Sequence, residues 1–147
     1  MVKRRIVVTG VGMLTPLGVD CETSWLQLTK GKSGIKPITS FDVSNYSVRF
    51  AGAVPDFDVE PYISNKESRR MDGFIRYAIV AGIQAMEDAG LEISDENRHR
   101  IGVAVGSGIG GIASIEECHE VVLSKGPTRV NPFFVPASII NMAAGHL

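Results

Sequence analysis

Two short runs of mostly β-branched residues, each closed by glycines and each followed by a helix signal, limit most strongly what this chain can become. The first is RRIVVT at 4–9, closed by Gly10 and Gly12. The second is RIGVAVGSG at 100–108. Runs of this kind predict buried strands. Between and after them come helical spacings. CETSWLQLTK at 21–30 predicts a short helix with Asp20 as its N-cap, stopping at Gly31. From Ser68 to Ala89, Met71, Phe74, Ile75, Ala78, Ile79, Met86 and Ala89 recur at three- and four-residue steps, and Gly90 supplies a stop. Residues 112–124 predict a third helix, ending before Gly126-Pro127. The stretch 32–65 is irregular, punctuated by Pro37, Pro55 and Pro61, with VRFAGAV at 48–54 as an edge strand or hairpin arm. Strand, helix, helix, strand and helix in this order predict an α/β layered fold. The chain finishes in FFVPASIINMAAGHL, where Ile139, Ile140, Ala143 and Leu147 share one helical face, without a capping signal behind it.

A length of 147 residues corresponds to one domain, and no linker, repeat or low-complexity tract divides it. Fifteen basic and sixteen acidic residues leave a net charge of −1, which argues against nucleic-acid binding. No apolar run approaches the length of a membrane span. Cys21 and Cys118 are too few and too far apart for a disulfide framework, so a reducing cytoplasm is the simpler setting. Lys3, Arg4 and Arg5 before an apolar stretch mimic a signal peptide, but Thr9, Gly10 and Gly12 interrupt it, and a first strand is expected instead.

The glycine loops admit several chemistries. Gly106, Gly108 and Gly111 of GSGIGG form a G-x-G-x-x-G frame between a strand and a helix, the context of a dinucleotide site. The ribose-binding acid expected about twenty residues on is missing. Two other readings stay open: a tight strand-to-helix turn, or room for a long apolar ligand beside Ile109. His99, His119 and His146 show no metal spacing. Cys118 and His119 are neighbours on a predicted helix and diverge by about 100°, so they are poorly placed as nucleophile and base. Cys21, Cys118 and His146 read as structural residues. No complete catalytic constellation is present. Lys66, Arg69 and Arg70 fall at i, i+3, i+4, which places three positive charges on one helical face, offset in part by Asp72 through Arg69 and Arg76. The patch reads either as a solvated face or as a docking site for an acidic partner.

Several blocks together, RRIVVTGVGMLTPLG, GKSGI, MDGFIRYAIVAGIQAMEDAGL, GSGIGG and NPFFVPASIINMAAGHL, resemble the amino-terminal part of the β-ketoacyl-acyl carrier protein synthases of the synthase II type. The resemblance runs from Val2 to Leu147 and covers about a third of a family chain. It implies a thiolase-like layered α/β/α fold, of which residues 1–147 supply most of the first half, truncated before the nucleophile cysteine. It implies an acyltransferase of bacterial fatty acid synthesis that acts in the cytoplasm as a homodimer, without metal or cofactor, nucleic acid or membrane. No catalytic residue falls within these 147. By position, Ile109 resembles the residue that gates the acyl pocket, and Phe134 the residue a partner subunit lends to the pocket floor. Lys66, Arg69, Arg70 and Arg129 match positions that meet acyl carrier protein, while Thr128 stands where the family often has a basic residue. Two rival readings are a nucleotide-binding oxidoreductase domain built on GSGIGG and a non-enzymatic remnant of the fold. The fragment alone is expected to be inactive and poorly soluble.

Overall fold

The computed structural model describes residues 4–147. A sixteen-residue helix organises it: α3, Gly73–Asp88. Ile75, Ile79 and Val80 are buried on one side of α3, as a helical repeat requires, and Ile63 joins them. Leu14, Phe57, Tyr62, Phe74, Met142 and Leu147 pack around this cluster.

The helix ends follow local chemistry. In α1 (Cys21–Thr29), the Asp20 carboxylate accepts the Thr23 N–H at 2.7 Å, as expected. Gly31 closes α1 with φ +67°, a conformation that favours glycine. Helix α2 (Asn65–Ser68) begins with the capping-box pair Ser64 and Glu67, joined side chain to side chain. The Glu67 N–H donates to Ser64 Oγ, and Ser64 Oγ–H donates to the Glu67 carboxylate at 2.6 Å. Helix α4 (Ile112–Lys125) stops at Gly126, φ +83°, just before Pro127. Two strands, β1 (Lys36–Pro37) and β2 (Phe50–Ala51), pair antiparallel with Lys36 opposite Ala51, so the 48–54 stretch is a hairpin arm.

Four expectations are corrected. The runs 4–9 and 101–107 form no ladder; Ile6 is 91% and Val8 82% exposed. A strand's amides and carbonyls need hydrogen-bonding partners alongside, and among the described residues no strand pairs with either run. The helix expected over 68–89 is broken at 69–72. The Arg70 N–H turns back to the Glu67 carbonyl, and Asp72 starts a new helix. Lys66, Arg69 and Arg70 therefore do not share one continuous helical face. The final helix is likewise two pieces, α5 (Phe134–Ser138) and α6 (Met142–His146), because Ile139 is extended at ψ 139°. His146, expected to pack or to bond backbone, is exposed and so does not pack.

The first glycine loop serves packing. A Cβ on Gly10 would overlap the Ala85 carbonyl oxygen, and one on Gly12 the Ala81 carbonyl oxygen, both on α3. This close approach is sealed by polar contacts. The Val11 N–H donates to Asp88, the Met13 N–H donates to Gln84 Oε1, and Gln84 Nε2 donates to the Val19 carbonyl at 2.7 Å. In the same stretch of α3, a Cβ on Gly82 would come within 2.6 Å of the Leu147 side chain.

Candidate functional site

The GSGIGG loop leads into the N-terminus of α4 and lies against the Ser138–Asn141 segment. The Gly110 N–H donates to Ser107 Oγ at 3.0 Å, and the Gly111 N–H to the Ser138 carbonyl at 3.0 Å. Gly110 has φ +79°. Beside the loop is an open cleft of about 860 Å³ walled by Val103, Val105, Ile109, Ile115, Ile139 and Ile140. Ile109 stands at its edge, 64% exposed. An apolar cleft with few polar groups suits a hydrocarbon chain better than a charged ligand.

The same geometry speaks against a dinucleotide. A pyrophosphate needs free amides at the helix N-terminus. At α4 the Gly111 N–H is spent on Ser138, and the Ser114 N–H is spent on Asp72 Oδ2 at 3.0 Å. The anion at this helix terminus is a carboxylate of the chain itself.

Phe134 is half-buried and lies apart from Ile109. It lines a separate cavity of about 160 Å³ with Ser114, Glu117, Cys118, Val121 and Arg129. Lys66, Arg69, Arg70 and Arg129 are all exposed. Arg70 stacks its guanidinium 4.3 Å over the ring of Phe133, an arrangement worth about 0.5–1 kcal/mol at an exposed site. This stack ties the basic patch to the segment that carries Phe134, and residue spacing alone gave no hint of it. The expected pairing of Asp72 with Arg69 and Arg76 is absent. Asp72 instead caps α3 and accepts from Ser114, and Arg76 Nε is buried without a partner.

No nucleophile–base pair forms among the described residues. Cys21 Sγ donates to the Val11 carbonyl at 3.2 Å, and both cysteines are half-buried and unpaired. His99 and His119 are exposed, and no group of histidine, cysteine or carboxylate side chains among the described residues is placed to hold a metal. No described helix is long and apolar enough to cross a membrane.

The backbone resembles part of the ketosynthase backbone. It superposes on the ishigamide ketosynthase/chain length factor with a TM-score of 0.78 at 28% identity, over 96% of this chain and 35% of that one. It superposes on a type II PKS ketosynthase in complex with its acyl-carrier protein with a TM-score of 0.75 at 28% identity, over 99% of this chain and 38% of that one. The thiolase-like α/β architecture is thus shared, in part, even though the runs 4–9 and 101–107 lack ladders. Residues 3–147 match the family model for the β-ketoacyl synthase N-terminal domain, and the chain belongs to that family. It is 58% identical to the 3-oxoacyl-[acyl-carrier-protein] synthase 2 of Vibrio cholerae, over all of this chain and 36% of that protein. It is 49% identical to the enzyme of the same name from Staphylococcus aureus, over 98% of this chain and 35% of that protein. The chain therefore spans about a third of the length of the relatives it matches.

Proposed function

We propose that the protein carrying this chain condenses an acyl thioester with malonyl-acyl carrier protein in fatty acid synthesis, with loss of carbon dioxide. One observation carries the reading: the match extends along all 147 residues to a relative named as a 3-oxoacyl-[acyl-carrier-protein] synthase. The chemistry requires a thiolate to take the acyl group, groups that assist decarboxylation of the malonyl unit, and amides that hold the thioester oxyanion. The described residues offer no such set, so in this reading the bond-making groups lie outside these 147 residues, which form wall and docking surface. Ile109 borders the acyl cleft. Phe134 serves the pocket of a second protomer in a cytoplasmic homodimer. Lys66, Arg69, Arg70 and Arg129 meet the acidic carrier protein. The exposed position of all four and the carrier complex of a structural relative support that role.

The test is elongation of a carrier-borne acyl chain by the complete protein, with the 147-residue chain alone as control. The complete protein is expected to elongate and the control to be inert. Charge reversal at Lys66, Arg69 and Arg129 is expected to raise KM for the carrier-borne substrate about tenfold or more and to leave a small acyl-thiol mimic nearly unaffected. Absence of product from the complete protein, or saturable thermal stabilisation by NADPH, would overturn the reading.

A further inference from the structure

Helix α4 has no cap of its own. The residues before it are Gly110 and Gly111, which have no side chain to offer. Its third amide, the Ser114 N–H, is capped from 42 residues away by Asp72 Oδ2 at 3.0 Å, and Ser114 Oγ–H donates to the same oxygen at 2.7 Å. The other carboxylate oxygen, Oδ1, accepts the Phe74 N–H of α3 at 3.5 Å. One negative charge thus sits between two helix N-termini, whose positive dipole ends it holds together. The Asp72 N–H reaches the Ala137 carbonyl at 3.4 Å, which adds α5 to the same knot.

The knot fixes where the GSGIGG loop leaves for α4. A Cβ on Gly111 would meet Asp72 Oδ2 at 3.1 Å and the Ser138 backbone at 2.7 Å, so the loop exit is packed directly on both. Ile109 lies two residues before this anchor and is itself exposed in the cleft. A shift of the α4 N-terminus therefore displaces Ile109.

We infer that Asp72, acting through Ser114, is a positioning residue for the 106–111 loop and a determinant of which acyl chains the cleft beside Ile109 accepts. The inference rests on the acyl-cleft reading above. Its distinguishing property is selectivity. A purely structural contact would lower stability or activity alike for all substrates. A contact that places Ile109 changes the balance between long and short chains.

The experiment compares, in the complete protein, kcat/KM for long-chain and short-chain acyl thioesters. Ile109→Ala measures the cleft itself, and its long-to-short ratio is expected to rise. Ser114→Ala removes one charge-assisted hydrogen bond and spares the α3 cap. Its ratio is expected to move in the same sense, by about threefold to tenfold. Ser114→Thr keeps the hydroxyl and is expected to retain the parent ratio. Hydrogen exchange over 106–115 is expected to quicken in Ser114→Ala and not in Ser114→Thr. A Ser114→Ala protein with the parent ratio, or with equal losses on all chains, overturns the positioning role while leaving the cleft intact. An Ile109→Ala protein with the parent ratio removes the acyl-cleft reading itself, and the positioning role with it.

Discussion

Val80 and Val8 are the same side chain in opposite circumstances, and so are Ile75 and Ile6. The first of each pair, on α3, is fully buried; the second, in the 4–9 run, is 82% and 91% exposed respectively. The difference lies in what each backbone needs before its side chains can be covered. A helix satisfies its own amides and carbonyls, so α3 buries a face as soon as one surface meets it. An extended run needs partners on both edges, and among the described residues no strand pairs with 4–9 or 101–107. The outcome shows in the total surface of 11343 Å². A compact monomer of this mass would expose about 7,300 Å². Apolar runs open to solvent in this way attract cover or associate.

The largest effect is expected where the chain following the first run meets α3. The segment after the first run is pressed onto α3 through Gly10 and Gly12. A Cβ at Gly12 would overlap the Ala81 carbonyl and lie 2.7 Å from Ala85 N, and helix backbone of that kind does not yield. Gly12→Ala is expected to cost about 2 kcal/mol or more, read as a lower urea midpoint of the 147-residue chain. Gly82→Ala is the control. Its nearest neighbour is the end of the Leu147 side chain, which can turn away, so the loss is expected to be smaller. Equal losses at both positions would mean that the close approach at Gly12 is not what holds the first segment to α3.

A smaller effect is expected at the capping box of α2. Ser64→Ala removes both the acceptor for the Glu67 N–H and the donor to its carboxylate. The expected loss is about 1 kcal/mol, with fraying of the turn that carries Lys66. If the basic patch docks a carrier, KM for carrier-borne substrate rises in this variant as well. A change in stability with no change in KM would separate the helix from the docking surface.

The helices with strong ends are legible in the amino-acid order itself. Asp20 before α1 and Gly126-Pro127 after α4 act as their residue types dictate. The break at 69–72 is not, although its signals are present. Ser64 and Glu67 spell a capping box, and Asp72-Gly73 a fresh helix start. The apolar spacing of Met71, Phe74 and Ile75 runs straight through the break, because periodicity records side chains and not where the Arg70 N–H turns. The glycine loops are ambiguous for a related reason. A missing Cβ admits a phosphate or packed backbone equally well, and only the neighbours decide: Ala81 and Ala85 of α3 for the first loop, Ser138 and Asp72 for Gly111 of the second. Lys66, Arg69 and Arg70 stand out by spacing and Ile109 by its glycine loop, whereas Arg129 and Phe134 stand out by resemblance alone. Asp72 with Ser114 is out of reach of residue patterns, since the pair is joined across 42 residues by the fold alone.

The smallest effect is expected at Val8. Val8→Thr exchanges a methyl for a hydroxyl with little change of shape. On an 82%-exposed site it should alter the stability of the 147-residue chain by less than about 0.5 kcal/mol. In a protein where a neighbouring strand covers the 4–9 run, the same hydroxyl loses its water and must find a partner. There the cost rises to about 1–3 kcal/mol. The two measurements together, one on this chain and one on the complete protein, report directly whether the run is covered. A near-zero value in both would leave Val8 solvated in the complete protein. A large value in the short chain would mean that copies of it already associate through this edge, which sedimentation at rising concentration would reveal as a growing mass.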